Sequence, residues 1–488
     1  MRTGKDYLEA LRKAPPSLWY KGERVEDPTA HPVFRGAAQT MARLYDLQHD
    51  PRYREILTYE EDGHLHGTSF LIPKTKEDLR KRGLAYKAWA DQTLGMMGRS
   101  PDYLNAVGRD GSYFLARAAS APYFGEFAEN VRAYYRYLRD NDLATTHALT
   151  NPQVNRAKPP SGQPDPYIPV GIVRQTEKGI VVRGARMTAT FPLAEELLVF
   201  PSTLLKEGPG SEKYAVAFAV PTNAPGLHFL CREGLAGDSP FDHPLSSRLE
   251  EMDALVIFDE VFVPWERVFI LGDVERCNNA YAQTGALHHM AHQVVVLKTA
   301  KTEAFLGVAA LLAEGIGADQ YGHVQEKVAE IIVYLEAMRA FWTRAEEMAK
   351  LNEYGLLVPD RGAIDGARNL YPRLYPRIRE IIQQIGASGL ITLPSERDFK
   401  GPLRPHLEKF LQGATLSARE RVALFRLAWD MILSGFGARQ ELYERFFFGD
   451  PVRMYQTLYN VYDKEPYKER IRAFLRPLLE TIPALEGA

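Results

Sequence analysis

The sequence predicts an α+β protein of three consecutive parts: an N-terminal helical domain, a central β domain built as a small barrel or sandwich, and a C-terminal helix bundle. Three observations predict this order. Apolar residues recur at three- and four-residue spacing over residues 1–143, short β-type runs replace them over 144–270, and long helical patterns return over 271–488. A chain of 488 residues is long enough for several such units and for a large buried core.

The N-terminal domain is predicted from two helical patterns. Residues 7–11 open a short amphipathic helix, which the proline pair at 15–16 ends because proline cannot continue a helix. Residues 124–138 repeat apolar side chains at the same helical spacing and predict a second helix. The tyrosines in that second pattern are expected to pack in the core.

The central domain is predicted from short apolar runs that glycine, proline and asparagine interrupt. The sequence Glu177-Lys178-Gly179 between two such runs predicts a hairpin turn. The predicted strands include residues 172, 180–182, 215–220, 229–230 and 255–258. A loop rich in proline, residues 159–166, is expected at the surface near the start of this domain.

The C-terminal domain is predicted from long amphipathic patterns. Apolar residues trace one helix face from Val324 to Met348, and residues 294–312 and 419–433 show similar patterns. Several such helices in series are typical of a bundle.

Composition excludes several classes of protein. The net charge of −2 gives no electrostatic reason to expect nucleic acid or an anionic membrane as a partner, and no apolar run is long enough to span a bilayer. The two cysteines, Cys231 and Cys277, are too few for a disulfide framework or for an ordinary iron–sulfur cluster. A reducing compartment, the cytoplasm, is therefore expected.

The common nucleotide and metal motifs are missing or weak. Residues 435–440 (GFGARQ) have two of the three glycines of a dinucleotide fingerprint, no strand precedes them, and no phosphate-binding GxxxxGK loop occurs. His288 and His292 share a predicted helix face beside His289, but no flanking carboxylate accompanies them. Core or interface histidines are the favoured interpretation, and no metal is predicted.

Two stretches combine polar groups suited to holding an anionic oxygen. In GMMGRSPDY (95–103), two glycines and a proline interrupt a helical region, and Arg99 and Tyr103 would share one face if the helix resumes. His147 lies at the predicted junction between the helical and β domains, where an imidazole can handle protons. The residues alone leave the alternative open: a helix-capping arginine, a packed tyrosine and a histidine bonded to loop backbone.

Segments along nearly the whole chain resemble one known family. They are YKGERVED (20–27), HPVFRG (31–36), GMMGRSPDY (95–103), THALTNPQVNR (146–156), MTAT (187–190), VPWER (263–267) and GDPVRM (449–454). Together they resemble the large oxygenase components of the two-component, flavin-dependent 4-hydroxyphenylacetate 3-monooxygenase family, of the thermophilic bacterial type. The segment 108–114 departs from that pattern, because it is more polar and richer in glycine.

The resemblance implies a fold and an activity. The fold is that of the acyl-CoA dehydrogenase superfamily, in which a flavin binds between the β domain and the bundle. The implied reaction uses FAD, as FADH2 supplied by a separate NAD(P)H-dependent flavin reductase, and O2. Through a C4a-hydroperoxyflavin, one oxygen atom is inserted ortho to the phenol of 4-hydroxyphenylacetate to give 3,4-dihydroxyphenylacetate. A homotetramer is the family's usual assembly.

The resemblance also implies the residues of the site. Arg99, Tyr103 and His147 would surround the phenol hydroxyl and act as the catalytic residues. The substrate-binding set implied by the resemblance is Arg99, Ser100, Pro101, Asp102, Tyr103, His147, Ser202 and Thr203, of which the last two would bind the carboxylate. The implied FAD-binding set is His147, Ala148, Leu149, Gln153, Val154, Asn155, Arg156, Thr190, Asp450, Pro451, Val452 and Arg453.

Alternatives to this activity differ in the groups they need. Another phenol, such as a chlorophenol, a tyrosine-like compound or coumarate, presents the same hydroxyl. A flavin-dependent acyl-CoA dehydratase needs cluster cysteines, and Arg99 and Tyr103 stand where two of them are expected. An acyl-CoA dehydrogenase needs a catalytic carboxylate, and no segment points to one. A helical scaffold without activity would not bind flavin at all.

Overall fold

The computed structural model describes residues 1–97, 116–155, 157–188, 191–200, 205, 207–447 and 449–480. The α-helices in these residues are α1 (Gly4–Lys13), α2 (Arg35–Asp46), α3 (Arg54–Leu57), α4 (Lys76–Gln92), α5 (Ala128–Asn141), α6 (Ser246–Leu249), α7 (Val274–Gln283), α8 (Ala286–Gly315), α9 (Gly322–Glu347), α10 (Arg361–Gly386), α11 (Arg404–Phe410), α12 (Ala418–Ile432), α13 (Gly435–Phe446), α14 (Pro451–Val461) and α15 (Glu465–Glu480). The strands are β1 (Leu18–Tyr20), β2 (Glu23–Arg24), β3 (Thr58–Glu61), β4 (His64–Gly67), β5 (Thr145–Ala148), β6 (Gly171–Thr176), β7 (Gly179–Thr188), β8 (Glu196–Val199), β9 (Val216–Pro221), β10 (Leu227–Cys231), β11 (Ala254–Pro264), β12 (Val268–Leu271), β13 (Lys350–Leu351) and β14 (Leu357–Val358).

Two sheets form the centre of the molecule. Their strand orders are β2-β1-β10-β11-β7-β6 and β12-β9-β8-β5. Phe218 of β9 and Phe258 of β11 meet edge to face with ring centroids 6.0 Å apart, so an apolar layer joins the two sheets. Both rings are fully buried. This arrangement confirms the predicted central β domain and the α+β class.

The hairpin predicted at Glu177-Lys178-Gly179 is present. β6 and β7 pair antiparallel, with Thr176 opposite Gly179, so two residues form the connection. Further along, β7 pairs with β11, and the register shifts by a bulge between Phe258 and Val261.

The N-terminal part contributes strands that its helical pattern did not predict. β1 pairs in parallel with β10 and antiparallel with β2, which places both at one edge of the larger sheet. A strand of three residues is too short to show a period, but Leu18 is fully buried at the sheet. The division into domains at 143/144 and 270/271 remains our proposal.

Long helices pack together beyond the sheets. α8, α9 and α10 contact one another pairwise, and α4 from the N-terminal part packs along α8. These helices and α12 confirm the long helical patterns predicted in the last third of the chain. The predicted apolar face of α9 is shorter than expected, because Met348 lies just past the helix end and is 52% exposed. Within the described residues, no helix has both the length and the apolar content needed to cross a bilayer.

Candidate active site

His147 lies in the interior, on the short strand β5. Every residue of that strand is buried, and hydrogen bonding to β8 places His147 opposite Leu198. Phe200 follows β8 directly, and its ring stacks on the imidazole with centroids 6.3 Å apart and an interplanar angle of 26°. His147 is 5% exposed, so protein atoms surround it on nearly all sides.

Further aromatic rings and a buried arginine pack next to His147 and Phe200. Tyr281 of α7 packs on Phe200 with ring centroids 5.4 Å apart. The Arg117 guanidinium lies over both rings, 5.6 Å from the Phe200 centroid and 5.9 Å from the Tyr281 centroid. Arg117 is 1% exposed. Strand β5, helix α7 and the segment that begins at residue 116 therefore meet in one buried region, which we call the His147 cleft.

Helix α7 also holds the chain next to the predicted carboxylate-binding residues. Asn278 accepts a hydrogen bond from the Leu205 backbone N–H at 2.8 Å, and its side-chain amide donates to the Leu205 carbonyl at 2.9 Å. This bidentate contact fixes the backbone two residues after Thr203. Asn278 is thus a positioning residue that the sequence did not reveal.

A second buried arginine lies beneath the end of β5. Arg186 of β7 is 2% exposed, and its Nη1 donates to the Leu149 carbonyl at 2.6 Å. Met187 N–H donates to the Thr150 carbonyl at 2.7 Å, so β7 and the chain after β5 are joined at this point. Burial lowers the pKa of Arg186 to about 10, which still leaves the guanidinium charged at neutral pH.

The chain just before Arg99 is anchored to the helix bundle. Gly95 has φ +64°, and a Cβ there would lie 2.7 Å from the backbone nitrogen of Lys301, so only glycine allows this approach. The Gln440 amide donates to the Met96 carbonyl at 2.7 Å, and the Lys301 ammonium donates to Gln440 Oε1 at 3.1 Å. Lys301 also pairs with the buried Glu444 at 2.5 Å.

Several predicted residues lie outside the described part of the chain. They are Arg99, Ser100, Pro101, Asp102, Tyr103, Arg156, Thr190, Ser202 and Thr203, together with the atypical segment 108–114. Three described residues lie next to these stretches: Met96, Arg117 and Leu205. The contacts given above involve these three residues. The roles predicted for the residues outside the described part stay predictions.

The remaining predicted flavin residues divide into a buried and an exposed group. Ala148 is buried beside His147, whereas Gln153, Val154 and Asn155 lie in an exposed loop. At the far end of the chain, Asp450 caps α14 by accepting the Arg453 backbone N–H at 3.0 Å. Pro451 is partly buried at the first position of that helix, and the side chains of Val452 and Arg453 are exposed.

Sequence reasoning missed the cleft residues Phe200, Tyr281, Arg117, Arg186 and Asn278. Only Arg186 carried a usable signal. Alternate residues of a strand share a face, and Arg186 continues the buried positions Ile180, Val182 and Gly184. A charged side chain on an otherwise apolar strand face marks a functional candidate.

The three histidines of α8 lie in the core near α9. His292 Nε2 lies 3.0 Å from the Glu346 carboxylate, so a carboxylate does accompany them, contributed by a different helix. Burial lowers the pKa of His288 to about 4 and that of His289 well below its usual value. Among the described residues, no group of three or more acidic, histidine or cysteine side chains is arranged to hold a metal ion.

The chain matches two family models that together cover most of its length. Residues 3–270 match "4-hydroxyphenylacetate 3-hydroxylase N terminal", and residues 277–476 match the corresponding C-terminal model. The oxygenase component of 4-hydroxyphenylacetate 3-monooxygenase from Thermus thermophilus is 82% identical over 487 residues, which are 100% of both chains. The Geobacillus oxygenase component is 46% identical, over 97% of this chain and 96% of that protein.

Solved structures agree in fold. The oxygenase component of 4-hydroxyphenylacetate 3-monooxygenase, crystallised with FAD and 4-hydroxyphenylacetate, is 81% identical and gives a TM-score of 0.95, covering 99% of this chain and 100% of that one. A 4-hydroxybutyryl-CoA dehydratase from N. maritimus, at 22% identity and TM-score 0.86, shares the fold, covering 100% of this chain and 96% of that one. The chain belongs to the 4-hydroxyphenylacetate 3-hydroxylase family.

Proposed function

We propose that the chain is the oxygenase component of a two-component, FAD-dependent 4-hydroxyphenylacetate 3-monooxygenase. A separate NAD(P)H-dependent reductase supplies FADH2, and one oxygen atom of O2 enters the ring ortho to the phenol to give 3,4-dihydroxyphenylacetate. One observation carries this conclusion: a protein 81% identical, with a TM-score of 0.95, was crystallised with both FAD and 4-hydroxyphenylacetate. Relatives named for 4-nitrophenol or chlorinated substrates are only 33% and 36% identical.

The His147 cleft fits a flavin ring and a phenol. It offers the flat rings of Phe200 and Tyr281, a buried imidazole and two buried guanidinium groups. In addition, Nε of Arg186 is buried and has no hydrogen-bond partner among the described residues, so this N–H is available to a polar ligand. When bound, reduced flavin supplies the activation of O2.

The protein's part in the reaction is to polarise the phenol and exclude water. His147 accepts the phenol proton at its imidazole while Arg99 and Tyr103 hold the phenol oxygen, which makes the ortho carbon richer in electrons. Ser202 and Thr203 bind the carboxylate of the substrate, and Asn278 fixes the backbone beside them. Because His147 and Arg117 are almost fully buried, water has little access to the reacting atoms.

The flavin contacts belong to the same proposal. Ala148 and Leu149, beside His147, contact the ring, and Thr190 offers it a hydroxyl. Gln153, Val154, Asn155 and Arg156 form one further contact region, and Asp450, Pro451, Val452 and Arg453 form another. Among their described residues, Gln153, Asn155 and Arg453 are exposed, which leaves these polar groups available to a dinucleotide.

Rapid mixing tests this function. Protein is loaded with FADH2 without oxygen and then mixed with aerated buffer, with and without 4-hydroxyphenylacetate, while flavin absorbance and product are followed. We expect 3,4-dihydroxyphenylacetate in yield close to the bound flavin, and hydrogen peroxide when substrate is omitted. Protein that neither retains FADH2 nor forms the catechol product would refute the proposal.

We also propose a homotetramer in the cytoplasm. One face of α15 is apolar and exposed, with Phe474 71% exposed and no residue of that helix buried. The residues on this face are Tyr467, Ile471, Phe474, Leu475 and Leu478. A second copy of the chain would cover it, and light scattering should give a mass of four chains. The two cysteines are free and buried, which suits a reducing compartment.

A further inference from the structure

Arg186 carries a buried positive charge that no described carboxylate balances. Among the described residues, its one hydrogen bond goes to the Leu149 carbonyl, and its Nε has no hydrogen-bond partner. Arg439, by contrast, is a buried arginine that forms ion pairs with Asp253 and Glu251. Burying an unpaired cation costs folding free energy, so we expect a ligand to supply the opposite charge.

The side chains around Arg186 do not supply that charge. Cys277 and Tyr281 are the titratable groups that act on it. Burial raises the pKa of the Cys277 thiol to about 12, so this group stays neutral at pH 7. A tyrosine phenol is likewise uncharged there. Arginine remains protonated, unlike a buried histidine, which can simply lose its proton.

The location of Arg186 points to the flavin. It lies where the end of β7 joins the chain after β5, and it bonds to Leu149, one of the residues assigned to FAD. Thr190, also assigned to FAD, follows four residues later in the sequence. The neutral ring of FAD accepts two electrons, supplied by NAD(P)H through the reductase, and one proton. It thereby becomes an anion, and a nearby fixed cation stabilises that form.

We propose that Arg186 is the counter-charge of the reduced flavin, through which the protein binds the anionic reduced ring in preference to the neutral oxidised ring. This inference rests on the proposed function. It gives the oxygenase a means to take up FADH2 from solution and to release FAD after the reaction.

Three variants test the charge. Arg186→Gln removes it, Arg186→Lys keeps it, and Arg43→Gln removes an exposed guanidinium that hydrogen-bonds to Thr40. Dissociation constants for FADH2 without oxygen and for FAD give the preference of each protein for the reduced form. We expect Arg186→Gln to lose about tenfold or more of the wild-type preference, whereas Arg186→Lys retains most of it and Arg43→Gln all of it.

A second measurement needs no variant and is independent of folding. Absorbance of reduced flavin bound to wild-type protein, followed from pH 8 to pH 5, reports whether the ring stays anionic. We expect the bound ring to remain anionic at a pH where free reduced flavin is protonated. A bound ring that protonates like the free one overturns the proposal, even if Arg186→Gln does not fold.

The other possible results distinguish an error in the role of Arg186 from an error in the proposed function. If folded Arg186→Gln keeps the wild-type preference for FADH2, the inference is wrong while the proposed function stands. If that variant instead loses binding of 4-hydroxyphenylacetate but not of its neutral amide, Arg186 serves the substrate carboxylate and the flavin proposal is overturned. If wild-type protein binds no reduced flavin, the proposed function itself fails.

Discussion

Buried cations have different partners in two regions of the molecule. In the bundle, Lys298 and Lys301 of α8 share the carboxylate of Glu444, and all three side chains are almost fully buried. The two lysines hold the pKa of Glu444 below its usual range, so the cluster stays ionised. In the His147 cleft, Arg186 has a backbone carbonyl as partner and no described carboxylate.

The difference separates structural charges from ligand-binding charges. A buried cluster of paired charges holds helices together, because removing one partner leaves the others buried and unpaired. An uncompensated buried cation costs folding free energy and attracts an anion. His288 and His289 of α8 follow a third course, since their lowered pKa values keep them neutral. The following predictions test whether these three cases are distinct.

The largest effect is expected from Glu444→Ala. This change leaves Lys298 and Lys301 buried without a carboxylate, and we expect the free energy of unfolding to fall by about 3–5 kcal/mol. Denaturant unfolding monitored by circular dichroism measures it. Glu129→Ala, which removes an exposed partner of Arg136, is the control and should leave the unfolding midpoint near that of wild type. Equal losses in the two variants would contradict the comparison.

His147→Ala tests the cleft rather than the core. We expect catechol formation to fall about 100-fold or more, because the proton acceptor for the phenol is lost, while the unfolding midpoint changes little by comparison with Glu444→Ala. Single-turnover assays with pre-bound FADH2 measure the rate. The exposed His64 offers the control, since His64→Ala should keep wild-type turnover. Undiminished product from His147→Ala would show that the imidazole has no chemical role.

A pH series tests the neutral histidines. The pKa of His288 is about 4 in the folded protein, against about 6.5 when unfolded, because burial opposes charging and Arg361 and Arg368 act in the same direction. Between these values the unfolded chain binds more protons, so stability falls as pH falls from 7 toward 4. At pH 5 we expect His288 to account for a loss of about 1–2 kcal/mol. His288→Gln should flatten this slope in urea titrations, and an unchanged slope would assign it to other groups.

Asn278→Ala should have the smallest effect. It removes two hydrogen bonds to the Leu205 backbone, so the neighbouring carboxylate-binding residues lose their fixed position. We expect KM for 4-hydroxyphenylacetate to rise about fivefold, equivalent to about 1 kcal/mol, with FADH2 affinity unchanged. Steady-state kinetics measure it, with the surface variant Asn141→Ala as the control. An unchanged KM would mean that Leu205 does not position the carboxylate site.

The fold was predictable because its signals are local. Periodic apolar residues gave α9 and α12 close to their observed bounds and the middle of α8, and turn residues gave the hairpin between β6 and β7. Strands β1 and β2 were missed, since two or three residues show no period and β10, the partner of β1, lies some 200 residues away.

The site was predictable only in part. His147 came from its place at a domain junction and from the family resemblance, and it is buried in an aromatic cleft. Asn278 gave no sequence signal, because a helical asparagine beside polar neighbours is ordinary. Its importance depends on which distant backbone segment the fold places next to it.

By itself, the sequence determined the order of helices and strands, the α+β class and the family, because periodicity and motif order are properties of neighbouring residues. The tertiary structure decided which residues meet: Leu149 with Arg186, Leu205 with Asn278, and Met96 with Gln440. It also decided which charges are balanced, because burial and the nearness of a carboxylate exist only once segments far apart in the chain have packed together.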